Sequence, residues 1–404
     1  MTAVLRGWME SIGPSTAAAL SIRLGFSREE IDIALAQLEA ESQVMRGRFT
    51  RTSADNEIEW CNRRVLARIH RMTLGRLRRE IAPVSAEQFY AFLTRWQHVA
   101  PGTQLHGADG VLEIVSQLQG YEIPAAAWES QILSARIANY DPEMLDDLCL
   151  SGEVMWARVS QPAGKVRATR VAPITLLARA DAGWLVEGSG EYEGLSDAAQ
   201  QVLALLQMER ALFFGDIARL TRRSAVEAEE ALWELVAAGL VTADGFENLR
   251  LLLDPKRRRG EGRGRYSRRR NAAGRWALVP TGLPHERAEK WASQLLLRWG
   301  VLLRDVLARE TGAPPWRDLL PVLRKLEAQG QIRGGRFVSG FTGEQFARPE
   351  ALDVLRAMKR AGGVEAPQVA SADPLNLVGI ILPGPRVSPL SLTMPQMHFN
   401  VATT

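Results

Sequence analysis

A fifteen-residue unit written four times limits what this chain can fold into. Leu35–Phe49 reads LAQLEAESQVMRGRF, Leu145–Val159 LDDLCLSGEVMWARV, Leu232–Phe246 LWELVAAGLVTADGF and Leu323–Phe337 LRKLEAQGQIRGGRF, with no gap in register. Leucines at the first and fourth positions make one apolar stripe of a helix. Seven residues after the first Leu stands Ser42, Gly152, Gly239 or Gly330. Gly there is the usual helix stop, because Gly takes the left-handed conformation cheaply. Val44, Val154, Val241 or Ile332 follows, and the unit closes on Phe49, Val159, Phe246 or Phe337, a pattern suited to a short twisted hairpin. Self-similarity on this scale points to an array of small domains.

The starts of the units repeat as well. Ser27-x-x-Glu30 and Ser224-x-x-Glu227 are capping boxes, each eight residues before its first leucine. Asp141-Pro142 and Pro315 begin the other two helices. Ahead of the first unit, Leu5, Trp8, Met9 and Ile12 share a helical face that Gly13-Pro14 ends, and a second helix runs from Thr16 to Leu24. Three helices and a wing make a winged helix, a variant of the helix-turn-helix. The expected fold class is therefore mainly α (α+β): tandem winged helices with a small antiparallel β-sheet or partial β-barrel module.

The expected layout is a winged helix over 1–55 and a helical module over 56–160 that ends in a divergent winged helix. A small β module over 161–194 follows; from Val154 to Val186 the stretches VMWARV, VRATRVAPITLLARA and GWLVEG read as strands. Next come a winged helix over 195–255, a basic linker over 256–275, a fourth winged helix over 276–348 and a C-terminal helix and β segment over 349–404. Within the helical module Val65, Leu66, Ile69, Met72, Leu77 and Ile81 form an apolar stripe. Val369–Leu382 is strand-like around Asp373-Pro374.

The chain is 46% hydrophobic, yet it has no apolar run long enough to cross a bilayer. A cytoplasmic protein with no membrane partner is expected. Cys61 and Cys149 stand far apart, and the histidines lack ligand spacing, so neither metal nor cofactor is expected. The net charge of +4 is concentrated: 256–275 holds ten Lys/Arg against one acid, Glu261, leaving a slightly acidic remainder. Such a stretch cannot bury a core, and it points to polyanion contact at one place.

Candidate contacts follow from charge. Arg46 and Arg48 flank Gly47, and Arg333 and Arg336 flank Gly334-Gly335. Glycines allow a hairpin tip close to a phosphate, and Arg supplies the charge. In the basic stretch, Arg257, Arg258, Arg259, Arg268, Arg269 and Arg270, with Tyr266 for stacking, suit a strand-gripping arm. The third wing offers Thr242, Ala243 and Asp244, with no base, and reads as a structural spacer. Trp96-Gln97-His98 ends a helix and either caps it or lines a pocket. Asp373 is the candidate acid; an Asp that merely starts a turn before Pro374 is the competing account.

The phrases RGWMESIGPSTAAAL, EWCNRRVLARIHR, RWQHVAPGTQL, LCLSGEVMW, ALWELVAAGLVTADGF, APPWRDLLPVLRKLEAQGQIRGGRFVSGFTGEQFA and SADPLNLVGIILPG, in this order, resemble the C-terminal region of the Lhr (large helicase-related) family of superfamily-2 DNA repair helicases. The resemblance implies a winged-helix array with a barrel-like module that binds DNA, single-stranded or as damaged duplex. It also implies self-association and a uracil-type DNA glycosylase activity on a flipped base, for which Asp373 would be the carboxylate. The helicase motor is not part of the likeness: no G-x-x-x-x-G-K-[ST] occurs, and Gly164-Lys165 is followed by Val166. The purified chain is accordingly expected to show no DNA-stimulated ATP hydrolysis in a phosphate-release assay; measurable turnover would overturn that.

Overall fold

In the computed structural model each repeated unit is the third helix of a winged helix together with the strand that follows it. Residues 1–50, 57–79, 83–160, 173–186, 194–253, 274–280, 287–361 and 367–388 are described. They fall into two units, 1–82 and 83–404. The seventh position after the first leucine has positive φ in all four copies: Ser42 at 57°, Gly152 at 82°, Gly239 at 77° and Gly330 at 77°. Ser42 shows that position rather than residue type dictates the turn.

The first unit runs α1 (Thr2–Met9), β1 (Ser15–Thr16), α2 (Ala17–Leu24), α3 (Arg28–Ala40), β2 (Val44–Gly47), β3 (Glu59–Asn62) and α4 (Arg63–Arg79). The sheet order is β1-β3-β2. Ser27 and Glu30 complete the capping box of α3. Leu5, Met9, Leu20, Ile31, Leu35, Leu38 and Val44 form its core. The wing is longer than the short hairpin expected. Val44–Gly47 pairs with Glu59–Asn62, so the returning strand starts beyond the segment around 51–56, which lies outside the described residues. Of the apolar stripe expected over 65–81, Ile69 and Met72 are exposed and Val65 and Leu66 half-buried, while Leu77 and Ile81 lie outside the residues whose side chains are described.

The second unit opens with α5 (Ala86–Trp96), whose start is a capping box, Ser85 and Gln88, that sequence reading passed over. A complete winged helix follows: β4 (Leu105–His106), α6 (Gly107–Leu118), β5 (Ile123–Pro124), a π-helical turn (Trp128–Leu133) into α7 (Ser134–Arg136), β6 (Ile137–Ala138), α8 (Pro142–Leu150), β7 (Val154–Ala157) and β8 (Pro173–Ala178). Its sheet order is β5-β8-β7. The separate β module expected over 161–194 is therefore corrected. Pro173–Ala178 is the third strand of this winged helix, and the apolar Ala182–Leu185 is a short helix, α9. Among the described residues the sheets are small, mainly antiparallel and open, so the partial barrel is not found.

The next module comprises α10 (Asp197–Glu209), β9 (Ala211–Phe213), α11 (Phe214–Thr221), α12 (Ala225–Ala237), β10 (Val241–Ala243), α13 (Phe246–Leu253) and β11 (Arg275–Leu278), with sheet order β10-β11-β9. This changes the meaning of the basic stretch. Phe246 starts a helix rather than closing a hairpin, and Arg275–Leu278 returns to pair with both Val241–Ala243 and Ala211–Phe213. The run over 256–275 thus joins two elements of one winged helix instead of linking two modules.

The last winged helix is α14 (Arg287–Trp299), β12 (Val301–Leu302), a 3-10 turn (Arg304–Arg309), α15 (Trp316–Ala328), β13 (Arg333–Gly335) and β14 (Gln345–Ala347), with sheet order β12-β14-β13, followed by α16 (Pro349–Ala361). Val369–Leu382, expected to be strand-like, forms turns with a single bridge between Val378 and Leu382, and most of it is buried.

Candidate nucleic-acid interface

The wings carry a repeated local design. Gly47 leaves room for the Phe49 ring: a Cβ there would lie 3.0 Å from two of its carbons. At Gly335 the same contact, with Phe337, would be 2.8 Å. These glycines are required by ring packing at the base of the wing, a reason other than the close phosphate approach expected of them. A side chain on the returning strand then holds the backbone after the turn. Glu59 accepts from the amides of Phe49 (2.6 Å) and Thr50 (2.8 Å). The Thr50 hydroxyl, followed by these amides, keeps its carboxyl below the usual range despite opposing desolvation. In the last wing Gln345 accepts from Phe337 (2.6 Å) and Val338 (2.8 Å) and donates to the Val338 carbonyl. That wing is further tied down by Val84, which donates to the Phe337 carbonyl and accepts from the amide of Ser339. Its tip is held before any ligand arrives.

Third helices supply the usual groove contact of this fold, and here their charges differ. Helix α3 carries Glu29, Glu30, Asp32 and Glu39 against Arg28; α8 carries Glu143, Asp146 and Asp147 with no base; α12 carries Glu227, Glu229, Glu230 and Glu234 with no base. Helix α15 reverses the balance, with Arg317, Arg324 and Lys325 exposed; its exposed acid, Asp318, lies 3.4 Å from Arg317. Its second acid, Glu327, is buried and accepts from the amide of Gly334 at 3.1 Å. A Cβ on Gly334 would collide with that carboxylate, which explains the glycine. Arg324 and Lys325 reach Glu344 and Glu289, but exposed pairs of this kind are weak and exchangeable for phosphate.

The predicted wing arginines fall unequally. Arg333 and Arg336 are exposed beside the basic α15. Arg46 is exposed but lies 3.2 Å from Glu39 of the acidic α3, with Arg48 exposed nearby in sequence. Arg257, Arg258, Arg259, Arg268, Arg269 and Arg270 lie outside the described residues. In the third wing Asp244 is held by Arg275 of β11 at 2.9 Å, so that wing is not without a base. The signal sequence reading missed is the α15 trio, legible as three bases on the solvent side of the leucine stripe. Beside α15 and α14 a groove of ≈ 570 Å³ is lined by Lys290, Lys325, Arg348, Gln119, Asp181 and Trp184, among others.

Asp373, the candidate acid, is enclosed by protein in this arrangement. It is 1% exposed, and Arg136, itself fully buried, holds both of its oxygens at 2.7 and 2.9 Å. Oδ1 also accepts from the Leu375 amide, the Asx turn that competed with the acid reading. Arg309 donates to the Asp373 carbonyl, and Gln97 bridges Arg136 to the Arg298 carbonyl. Both carboxylate oxygens are thus occupied by protein partners. Gln97 neither merely caps α5 nor lines an open pocket: it is part of this buried network. His98 turns away, its Nδ1 2.9 Å from the Thr103 carbonyl.

The winged-helix domains of large helicase-related proteins match here over 84–178, the third of that series, and over 281–367, the fourth. The chain is 30% identical over 405 residues to the Lhr helicase/probable uracil glycosylase of Mycolicibacterium smegmatis, covering 92% of this chain and 26% of that one. It is 28% identical over 408 residues to the Lhr helicase/uracil glycosylase of Escherichia coli K12, covering 88% and 26% respectively. The chain thus spans about a quarter of the length of the curated relatives it matches. Among solved structures, the Streptomyces sahachiroi DNA glycosylase AlkZ aligns with TM-score 0.41 and 16% identity over 68% of this chain and 73% of that one, too loose a likeness to equate residues.

Proposed function

By its two matched domains the chain belongs to the large helicase-related (Lhr) family, and from that premise we propose that it binds DNA, single-stranded or as damaged duplex, chiefly through its fourth winged helix. The observation that carries this reading is the charge reversal on α15. Of four third helices built to one plan, only this one opposes a polyanion with bases, and only beside it does a wing present Arg333 and Arg336 clear of a carboxylate-rich helix. The basic stretch with Arg257–Arg259 and Arg268–Arg270 adds sequence-blind attraction from the third module. The other third helices suit protein contact: α3 and α12 expose Ile33 and Val226 among carboxylates. A scaffold role, including self-association, is the second reading for those modules.

Salt titration decides. Arg333→Ala with Arg336→Ala is expected to lower the slope of log K against log salt by roughly 1.4–1.8, two phosphate contacts at about 0.7–0.9 each. Melting should stay within about 0.5 kcal/mol, because both side chains are exposed. Arg46→Ala with Arg48→Ala should cost less. A first-wing pair as costly as the fourth would move the interface to the first module. A chain that binds with no salt slope is a scaffold.

A further inference from the structure

Helix α4 reads RRVLARIHRMTLGRLRR and has no carboxylate in its 17 residues. In the part whose side chains are described, Arg63, Arg64, Arg68, His70 and Arg71 are exposed. At about 100° per residue these five share one arc of roughly 160°, while Val65, Leu66, Ile69 and Met72 share the opposite side. The ion pairs of this unit involve Arg6, Arg28 and Arg46; among the described residues none involves these four arginines. The helix start is fixed, since Asn62 Oδ1 accepts from the Arg64 amide at 2.9 Å and the Arg63 amide donates to the Gln43 carbonyl. The arginine face therefore continues rigidly from the last strand of the first winged helix.

We infer that α4 is a second nucleic-acid contact, one that grips the phosphate backbone without reading sequence. This rests on the nucleic-acid reading above but uses neither wing nor third helix. Four guanidinium groups over 63–71 span about 12 Å at 1.5 Å per residue. Duplex DNA presents a charge every 1.7 Å or so along its axis, so several phosphates lie within that span. The guanidinium fork matches a phosphodiester, and no Lys occurs in the helix. A helix lying in a lipid surface needs a broad apolar face. Among the residues of α4 whose side chains are described, Val65 and Leu66 are half-buried, leaving chiefly Ile69 and Met72 to insert.

The test replaces Arg63, Arg64, Arg68 and Arg71 together with Gln, a comparable helix former, in the full chain. Binding to a labelled single-stranded oligonucleotide is followed against salt. The slope is expected to fall by about 2.8, four contacts at roughly 0.7 each on single strands, equally for unrelated sequences and with the far-UV spectrum unchanged. The matching four-Lys variant should keep most of the slope. An unchanged slope in the Gln variant, with the Arg333/Arg336 pair still lowering it, overturns this inference and leaves the proposed function standing. No salt-dependent binding by the parent chain overturns both. Vesicles containing phosphatidylserine form the last arm: binding that the Gln variant loses, while its nucleic-acid slope is intact, assigns the helix to lipid and also overturns the inference. Should the Gln variant lose helical signal, Arg64→Gln and Arg68→Gln singly carry the test, each expected to remove about 0.7 of slope.

Discussion

Asp373→Ala is expected to destabilise the second unit by about 3–5 kcal/mol, the cost of stranding one partner of a buried ion pair. Arg136 would keep its charge in a site with no exposure, with only Gln97 and a 3.4 Å contact to the Ile132 carbonyl left to it. The turn would also lose its bond to the Leu375 amide. Urea unfolding followed by tryptophan fluorescence reads the loss, and Arg136→Met with Asp373→Leu should recover much of it, since replacing both charges removes the stranded one. A loss below about 1 kcal/mol would mean that the pair does not anchor residues 367–388. The same variants bear on base release. If the chain frees uracil from DNA, Asp373→Asn should lose that activity only in step with its melting transition. A stable but inactive Asp373→Asn would restore the carboxylate to the chemistry.

Gly300→Ala should cost about 2–5 kcal/mol. Gly300 lies between α14 and β12 at φ 64°. A Cβ there would stand 2.8 Å from Phe92, 2.9 Å from Trp96 and 3.1 Å from Ala351, so α5 and α16 both press on this point. Left-handed backbone costs an L-residue roughly 1–2 kcal/mol, and overpacking a filled core adds about 1–3. The Trp96 indole bond to the Leu297 carbonyl, 2.9 Å, limits how far α5 can retreat. The check is the urea midpoint beside that of Gly340→Ala, where nothing lies within 4 Å of the new methyl. Equal losses would show that α5 yields and that the packing is loose.

Local chemistry was enough for the parts of this protein that repeat. The leucine stripes, the Ser27 and Ser224 caps and the left-handed stop each depend on residues within one turn of each other, so the pattern carries them directly. The charge of α15 against α3, α8 and α12 was equally present in the letters, although it acquires meaning only once the leucines assign each helix its buried side. Strand pairing was not legible in that way. Each wing's returning strand takes a partner chosen by three-dimensional closure. Arg275–Leu278 therefore reads as the end of a linker until it is found beside Ala211–Phe213. Burial of charge was the other matter left to tertiary structure. Arg136 and Arg46 are the same residue type, and nothing near either in sequence separates them. Packing across 237 positions brings Asp373 to Arg136 and seals both, while Arg46 stays on a wing in solvent. A charge's surroundings are set by every segment that folds over it, and those segments are distant in the chain.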